Sequence, residues 1–448
     1  MPSHCPTRPQ RKLSMPHCSG RGILLAGDLA SLAEENSLFA GSAAGKIEQL
    51  QRELAPLATR YDAVVANPPY MGSSNANKWL AAWMKSHYAD APRDLCTCFM
   101  LRGQTLAVEG GYEALITSDT CMYISSFEKM RKRIIEESTI LTFIDTRGTN
   151  AHPDVFDANA GWVLLNKHFP QYKGAFLKLN QPIAEKQARY LEALANPDCG
   201  WFYRRSSLSF EAIPGTPIVY WAGEAIASAF ETGTPISSIG QPRQGLATGE
   251  NARFVRQWWE VSLNREWFEC PSVEDSVRSG KKWFPYNKGG EYRKWYGNND
   301  CVVNWENDGD EIRNYKDSSG KQLSRPQNTQ CYFRPCITWS KISSGSIAFR
   351  YKPKGHVFDV AGTSIFAEEN RLAYLHGACN SSVILQIAGM LSPTLNFEVG
   401  QIATYPIIFD SGKESDVCSL VAESREISKK EWDSFESSWD FQRHPLLQ

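Results

Sequence analysis

The residues best suited to do chemistry in this 448-residue chain are Asn67, Pro68, Pro69 and Tyr70. They close the apolar run of "YDAVVANPPYMG". Proline has no N–H and a fixed φ, so a Pro-Pro corner presents carbonyl oxygens rigidly and without competing donors. The residue before proline is itself pushed towards extended geometry. The product is a stiff pair of acceptors, the Asn67 side-chain oxygen and the Pro68 carbonyl. Such a pair suits a planar amine. An exocyclic amine is a poor nucleophile because its lone pair is delocalised into the ring. If both its N–H bonds meet fixed acceptors, the nitrogen is biased towards a pyramidal form that can attack an electrophilic methyl group, with the developing charge stabilised in place. On a nucleic acid the base must first leave the stack. The ring of Tyr70 would replace the lost stacking, worth about 1 to 3 kcal/mol per base.

Elements that could position this corner follow from periodicity. "GKIEQLQRELAPLATR" has Ile47, Leu50, Leu54 and Leu57 on one helical face. A short strand then runs into Asn67. "NKWLAAWMKSHY" and "DLCTCFMLRGQTLAVEGG" read as helices, the second closed by Gly110-Gly111. "YEALITSDT" reads as a buried strand, and Ser125 with Glu128 as a capping box for "FEKMRKRIIEES". "TILTFID" and "GWVLLNKHF" are further strands. Alternation at this spacing predicts a parallel sheet covered on both faces, with ligands beyond the carboxyl ends of its strands. From about Pro182 the pattern turns to the helical segments "AEKQARYLEALAN" and "IVYWAGEAIASAFETG". Short strands, tryptophans and turns such as Asn287-Lys288-Gly289-Gly290 follow.

At 42% hydrophobic and 22% charged residues, the chain has the composition of a soluble globular protein, and its length predicts two or three domains. No apolar stretch approaches the roughly 20 residues of a membrane span, and the N-terminus has no secretory pattern. The expectation is a cytoplasmic protein with reduced thiols. Neither Cys-x-x-Cys nor His-Glu-x-x-His occurs, so no metal is expected. Net charge is −1, but residues 241–360 carry 19 Lys+Arg against 14 Asp+Glu and seven of the 14 tryptophans. A basic, aromatic segment of this kind fits a phosphate backbone, and it fits a solvated face over a Trp-rich core equally well. Within it Arg243, Arg253, Arg256, Lys288, Arg293 and Lys294 are candidate DNA contacts, each also readable as a surface charge. Asp119 could line a base pocket or cap a helix approach. Phe156 could complete a base sandwich or belong to the core. His152 and His356 have no partners at useful spacing and read as structural.

The corner resembles the signature of the amino-methyltransferases that use S-adenosylmethionine, Asn/Asp/Ser-Pro-Pro-Tyr/Phe after a strand. The likeness extends through "DLCTCFMLRG", "GGYEALITSDT", "RQGLATGENARFVRQWWEV", "KWFPYNKGGEYRKWYGN", "VVNWENDGDEIR" and "TWSKISSGSIAFRY". In that order, over residues 45 to 410, the chain is similar to the adenine-specific DNA methyltransferases of BREX phage-exclusion systems (PglX-like). The resemblance implies an α/β fold: a partial Rossmann-like methyltransferase sheet followed by a mixed α+β target-recognition domain. It implies a leader at 1–44, a truncated catalytic domain at 45–180, a helical connector at 181–235, a DNA-reading domain at 236–410 and a helical tail at 411–448. It also implies S-adenosylmethionine as cofactor and double-stranded DNA as partner, with Asn67, Pro68, Pro69 and Tyr70 catalytic and methylation at adenine N6. Such enzymes hold their cofactor on a Gly-rich loop ahead of the corner. No such loop precedes Asn67; "SGRGILLAG" has the glycines, but no strand leads into it and no helix follows. The expectation is therefore a chain that needs a complementary N-terminal fragment or is a decayed remnant, with other phage-defence subunits as further partners, and that exposes a sheet edge where missing strands would pair.

Two rivals share these features. A protein-glutamine methyltransferase uses the same corner, but the basic, Trp-rich second domain argues against it. A non-catalytic DNA-binding or assembly subunit would account for the absent cofactor loop. DNA cleavage is excluded for this sequence, because Pro-Asp occurs without any Glu-x-Lys.

Overall fold

The computed structural model describes residues 49, 52–146, 159–180, 182–343, 345–392 and 396–447. Its first half is built on a six-stranded sheet in the order β1-β2-β4-β3-β5-β6. The strands are β1 (Tyr61–Ala66), β2 (Ala107–Ser118), β3 (Thr139–Asp145), β4 (Asn159–Leu165), β5 (Lys173–Lys178) and β6 (Phe202–Ser206). Helices α1 (Lys78–His87) and α2 (Leu95–Leu106) join β1 to β2, and α3 (Glu128–Glu137) joins β2 to β3. Those crossovers make β1/β2 parallel. No helix separates β3 from β4 among the described residues, and β4 inserts antiparallel between β2 and β3. Only β3/β5 is a second parallel pair, so the all-parallel sheet expected from alternation is in fact mixed.

Strand alternation explains which face is buried. Glu113, Leu115 and Thr117 of β2, Phe143 of β3 and Trp162 and Leu164 of β4 point into a core with Met100, Leu101, Met130 and Ile134 from the helices. Phe143 meets Trp162 edge to face at 4.6 Å, and Tyr220, from beyond β6, stacks on Phe176 at 5.4 Å. The opposite face is open: Val65 is 78% exposed, Tyr112 50% and Ile116 47%. The sheet is thus covered on one face around β1 and β2, against the expectation of two. Among the described residues β1 is the end strand of the sheet and pairs with β2 alone. Residues 52–58 are helical, but Leu54 and Leu57 are more than half exposed, so the apolar face read there covers no core.

Two local signals were misread. α2 ends at Ala107 and the chain enters β2 directly; Gly110, at φ 74°, sits in the irregular start of that strand, where the β1 register slips between Tyr61 and Ala63. Left-handed backbone in a glycine served a bulge here and not a helix end. The Ser125/Glu128 capping box does not form: Ser125–Phe127 is a 3-10 turn, and α3 begins from Phe127 with no side-chain cap. The turn is fixed instead by Arg131, whose buried guanidinium donates to the carbonyls of Cys121, Ile124, Gly215 and Thr216.

Glu113 is the outlier of this core. It is 1% exposed, neither carboxyl oxygen has a hydrogen-bond partner, and it packs against Gly103 of α2, where an added Cβ would lie 1.8 Å from Oε1. Burial pushes its pKa up to about 9, so the folded protein holds it protonated at neutral pH. The unfolded chain releases that proton from about pH 4.5 upward, so Glu113 costs stability progressively as pH rises towards 9. Glu113→Gln should flatten the loss of thermal stability between about pH 5 and 9 and raise the melting midpoint at pH 8; thermal melts of both proteins across that range check it.

The second half contains two four-stranded sheets. One joins Val357–Phe358, Trp283–Asn287, Cys301–Asn304 and Val255–Gln257; the other joins Arg350–Lys352, Cys336–Thr338, Ser364–Phe366 and Gln241–Arg243. Helix α4 (Ile183–Ala195) precedes β6, and α5 (Glu224–Thr232) leads to this half. Helices α6 (Glu369–Asn380), α7 (Ser382–Leu391) and the long α8 (Glu414–Trp432) follow its strands. No helix among the described residues is long and apolar enough to cross a membrane.

Candidate functional site

β1 delivers Asn67 beyond its last paired residue, Ala66, which sits opposite Leu115 of β2. The corner leaves the sheet here because two prolines cannot continue a ladder. Pro68 is buried, Asn67 and Pro69 are exposed and Tyr70 is half-buried. After the corner the chain is pinned to the start of α2: Leu95 N–H donates to Met71 O at 3.0 Å and Ser73 N–H to Arg93 O at 2.8 Å. Asp94 caps α2 by accepting from Cys96 N–H, and Asn77 caps α1 by accepting from Leu80 N–H. Two capped helices thus hold the ends of the segment that carries the corner.

The Tyr70 hydroxyl lies 3.2 Å from Asn67 Oδ1 and 3.2 Å from the carbonyl oxygen of Ile116. Burial, with the Cys96 and Cys121 thiols adding to it, raises its pKa above the usual phenol value, so it is a donor at neutral pH. It has one proton for two acceptors. That bond orients the Asn67 amide with its oxygen fixed, while the Pro68 carbonyl receives no hydrogen bond among the described residues. Asn67 also stands on the rim of a cavity of about 400 Å³ on the open sheet face, lined by Val65, Ile116 and Trp162 among others. Of the four corner residues, Asn67 alone lines this cavity. Ile116 was not readable as a participant, since its contribution is a backbone oxygen set by the β1/β2 register.

The other sequence candidates fare differently. Asp119 is 2% exposed and accepts from Tyr123 OH at 2.8 Å; the cap at this turn is Ser118, which accepts from Thr120 N–H. Phe156 and His152 lie outside the described residues. Five of the six cations proposed to contact DNA are engaged inside the protein. Arg253 donates Nε and Nη2 to Glu311 Oε1 at 3.0 and 2.8 Å. Arg256 donates to the Ala252 and Val255 carbonyls. Arg293 pairs with Glu431 and lies 5.1 Å from the Trp432 ring centre. Lys294 donates to Asn380 O at 3.2 Å, and Arg243 is partly buried with Nη1 3.5 Å from Pro242 O. Lys288 is exposed and unengaged among the described residues. An exposed feature went unnoticed: on α1, Trp79, Trp83 and His87 stack in series at 6.5 and 4.8 Å, with Trp79 72% exposed. Their four-residue spacing in "WLAAWMKSH" was the available signal.

Comparison with known proteins now bears on the corner. A family model described as Eco57I restriction-modification methylase matches residues 30–152, the span that contains it. The chain is 34% identical over 412 residues to the adenine-specific methyltransferase PglX of Lacticaseibacillus casei (strain Zhang), covering 90% of this chain and 34% of that protein. It is 34% identical over 427 residues to the adenine-specific methyltransferase BrxX of Escherichia coli O9:H4 (strain HS), covering 94% and 33%. The chain is homologous to these methyltransferases. It spans about a third of their length. Among solved structures, its fold resembles the Type IIL restriction-modification enzyme MmeI in complex with DNA (TM-score 0.51, 10% identity, 87% of this chain and 52% of that one). It also resembles a nuclease-deletion mutant of the Type ISP restriction-modification enzyme LlaGI in complex with a DNA substrate mimic (TM-score 0.51, 11% identity, 90% and 37%). These likenesses carry the fold alone: a mixed α/β sheet followed by a mixed second half.

Proposed function

We propose that this chain carries the base-accepting corner and the DNA-contacting half of a site-specific adenine-N6 DNA methyltransferase of a phage-defence system. The observation that supports this most is the placement of Asn67 and Tyr70 at the carboxyl end of β1, with the Asn67 oxygen fixed by Tyr70 and a cavity in front. Adenine is extruded from duplex DNA, its ring lies on Tyr70, and its amine donates to Asn67 Oδ1 and the Pro68 carbonyl. As the amine arrives, the Tyr70 hydroxyl turns its hydrogen bond to Ile116 O, which leaves the Asn67 oxygen open to the base. Held in this way, the nitrogen lone pair is directed out of the ring plane. S-adenosylmethionine supplies the methyl group in enzymes of this class. The cavity beside Asn67 is largely apolar, and a complementary portion of polypeptide or another phage-defence subunit is the proposed partner. We place residues 236–410 as the DNA-reading domain, with Lys288 among its exposed cations, and the protein in the cytoplasm.

Native-DNA sequencing with methylation detection, in cells with and without the gene, tests this reading. An N6-methyladenine motif that vanishes with the gene is the expected result; identical methylation in both strains overturns it.

A further inference from the structure

Helix α1 begins at Lys78, eight residues after Tyr70, and lays out a row of rings along its surface. Trp79, Trp83 and His87 are four residues apart, the spacing that brings side chains into line on a helix. The Trp79 and Trp83 rings are nearly parallel, 15° between planes with centres 6.5 Å apart, and the His87 ring continues the series 4.8 Å from Trp83. Trp83 is half-buried and meets Tyr88 edge to face at 5.5 Å, which fixes the middle of the row. Trp79 stands clear of it, 72% exposed.

The side chains around the rings decide what kind of partner fits. α1 contains no acidic residue, and its two lysines, Lys78 and Lys85, are exposed. At 3.6 residues per turn the lysines share one side of the helix, and the small exposed residues Ala82 and Ser86 lie between them and the ring row. The carboxylates that follow α1 are engaged: Asp90 lies 3.7 Å from Arg133, and Asp94 caps α2. Docking of a protein helix relies on rows of aliphatic anchors, and Trp79 is the one large apolar side chain that α1 exposes. A flat indole face beside unopposed cations instead matches a nucleic-acid strand, whose bases stack on rings and whose phosphates meet lysines.

We infer that α1 is a stacking platform for unpaired nucleotides of DNA, with Trp79 taking a base and Lys78 and Lys85 the phosphates beside it. This rests on the proposed function, in which extruding an adenine leaves its partner base unpaired and loosens the nucleotides next to it. Fluorescence anisotropy of a labelled oligothymidylate of roughly 16 nucleotides, titrated with the full chain, tests the inference. Saturable binding is expected, and its affinity should fall as salt rises. Trp79→Ala, a change at an exposed position, should weaken it about five- to 150-fold. Trp79→Phe keeps a flat ring and should retain most of the affinity, whereas Trp79→Leu keeps apolar bulk without a ring face and should behave as the alanine variant does. No saturable binding, affinity unchanged in Trp79→Ala, or full rescue by Trp79→Leu overturns the inference, the last by assigning α1 to a protein partner. The readout is binding alone, so its failure leaves the Asn67 corner untouched, and a chain that binds through Trp79 while cellular DNA stays unmethylated overturns the proposed function and not the platform.

Discussion

Asn67→Ala is expected to lower methyl transfer to DNA by about 10²- to 10³-fold while leaving the fold and DNA affinity in place, the usual cost of removing one oriented group that stabilises developing charge. The side chain is exposed and accepts a hydrogen bond from Tyr70, so truncation removes an acceptor for the base amine without opening a cavity. Label incorporated from tritiated S-adenosylmethionine into DNA, in extracts of cells expressing each protein, gives the rate. Near-UV circular dichroism gives the fold. Asn67→Ala at wild-type rate would mean that the corner is a strand end and nothing more.

Tyr70 should divide into two effects. The ring stacks the base and the hydroxyl orients Asn67, so Tyr70→Ala loses both and Tyr70→Phe loses only the second. Stacking at about 1 to 3 kcal/mol per base corresponds to roughly five- to 150-fold in rate for the alanine variant. The phenylalanine variant should fall by only a few-fold, because the hydroxyl must leave the Asn67 oxygen in any case when the amine arrives. The same incorporation assay compares them. Equal losses in both variants would place the contribution in the hydroxyl and refute a stacking role for the ring.

The corner was legible because its signal is local. Asn-Pro-Pro-Tyr after a β-branched run fixes φ angles, removes donors and ends a ladder within four residues, and the structure puts those residues at a strand terminus. What depended on distant parts of the chain was not readable. The antiparallel insertion of β4 depends on a loop with no helix in it. The open face carrying Val65 and Ile116 depends on what packs there. Partners of the second-half cations are a further case: Arg253 meets Glu311 58 residues away and Arg293 meets Glu431 138 residues away. A charge count sees the guanidinium and not the carboxylate that folds onto it. Glu113 shows the converse, since alternation places it inward and no sequence rule supplies a partner. Buried without one, it becomes a neutral acid.

Extrusion of the target adenine onto Tyr70 is the claim on which the rest turns, and 2-aminopurine reports it directly. A duplex carrying 2-aminopurine at the adenine identified by methylation sequencing is titrated with the protein, and its fluorescence is read beside a gel shift of the same mixtures. The account predicts a several-fold rise as the complex forms, with a larger rise for Tyr70→Ala, where no ring quenches the freed base. Fluorescence that stays at the duplex level while the DNA is fully bound would contradict it.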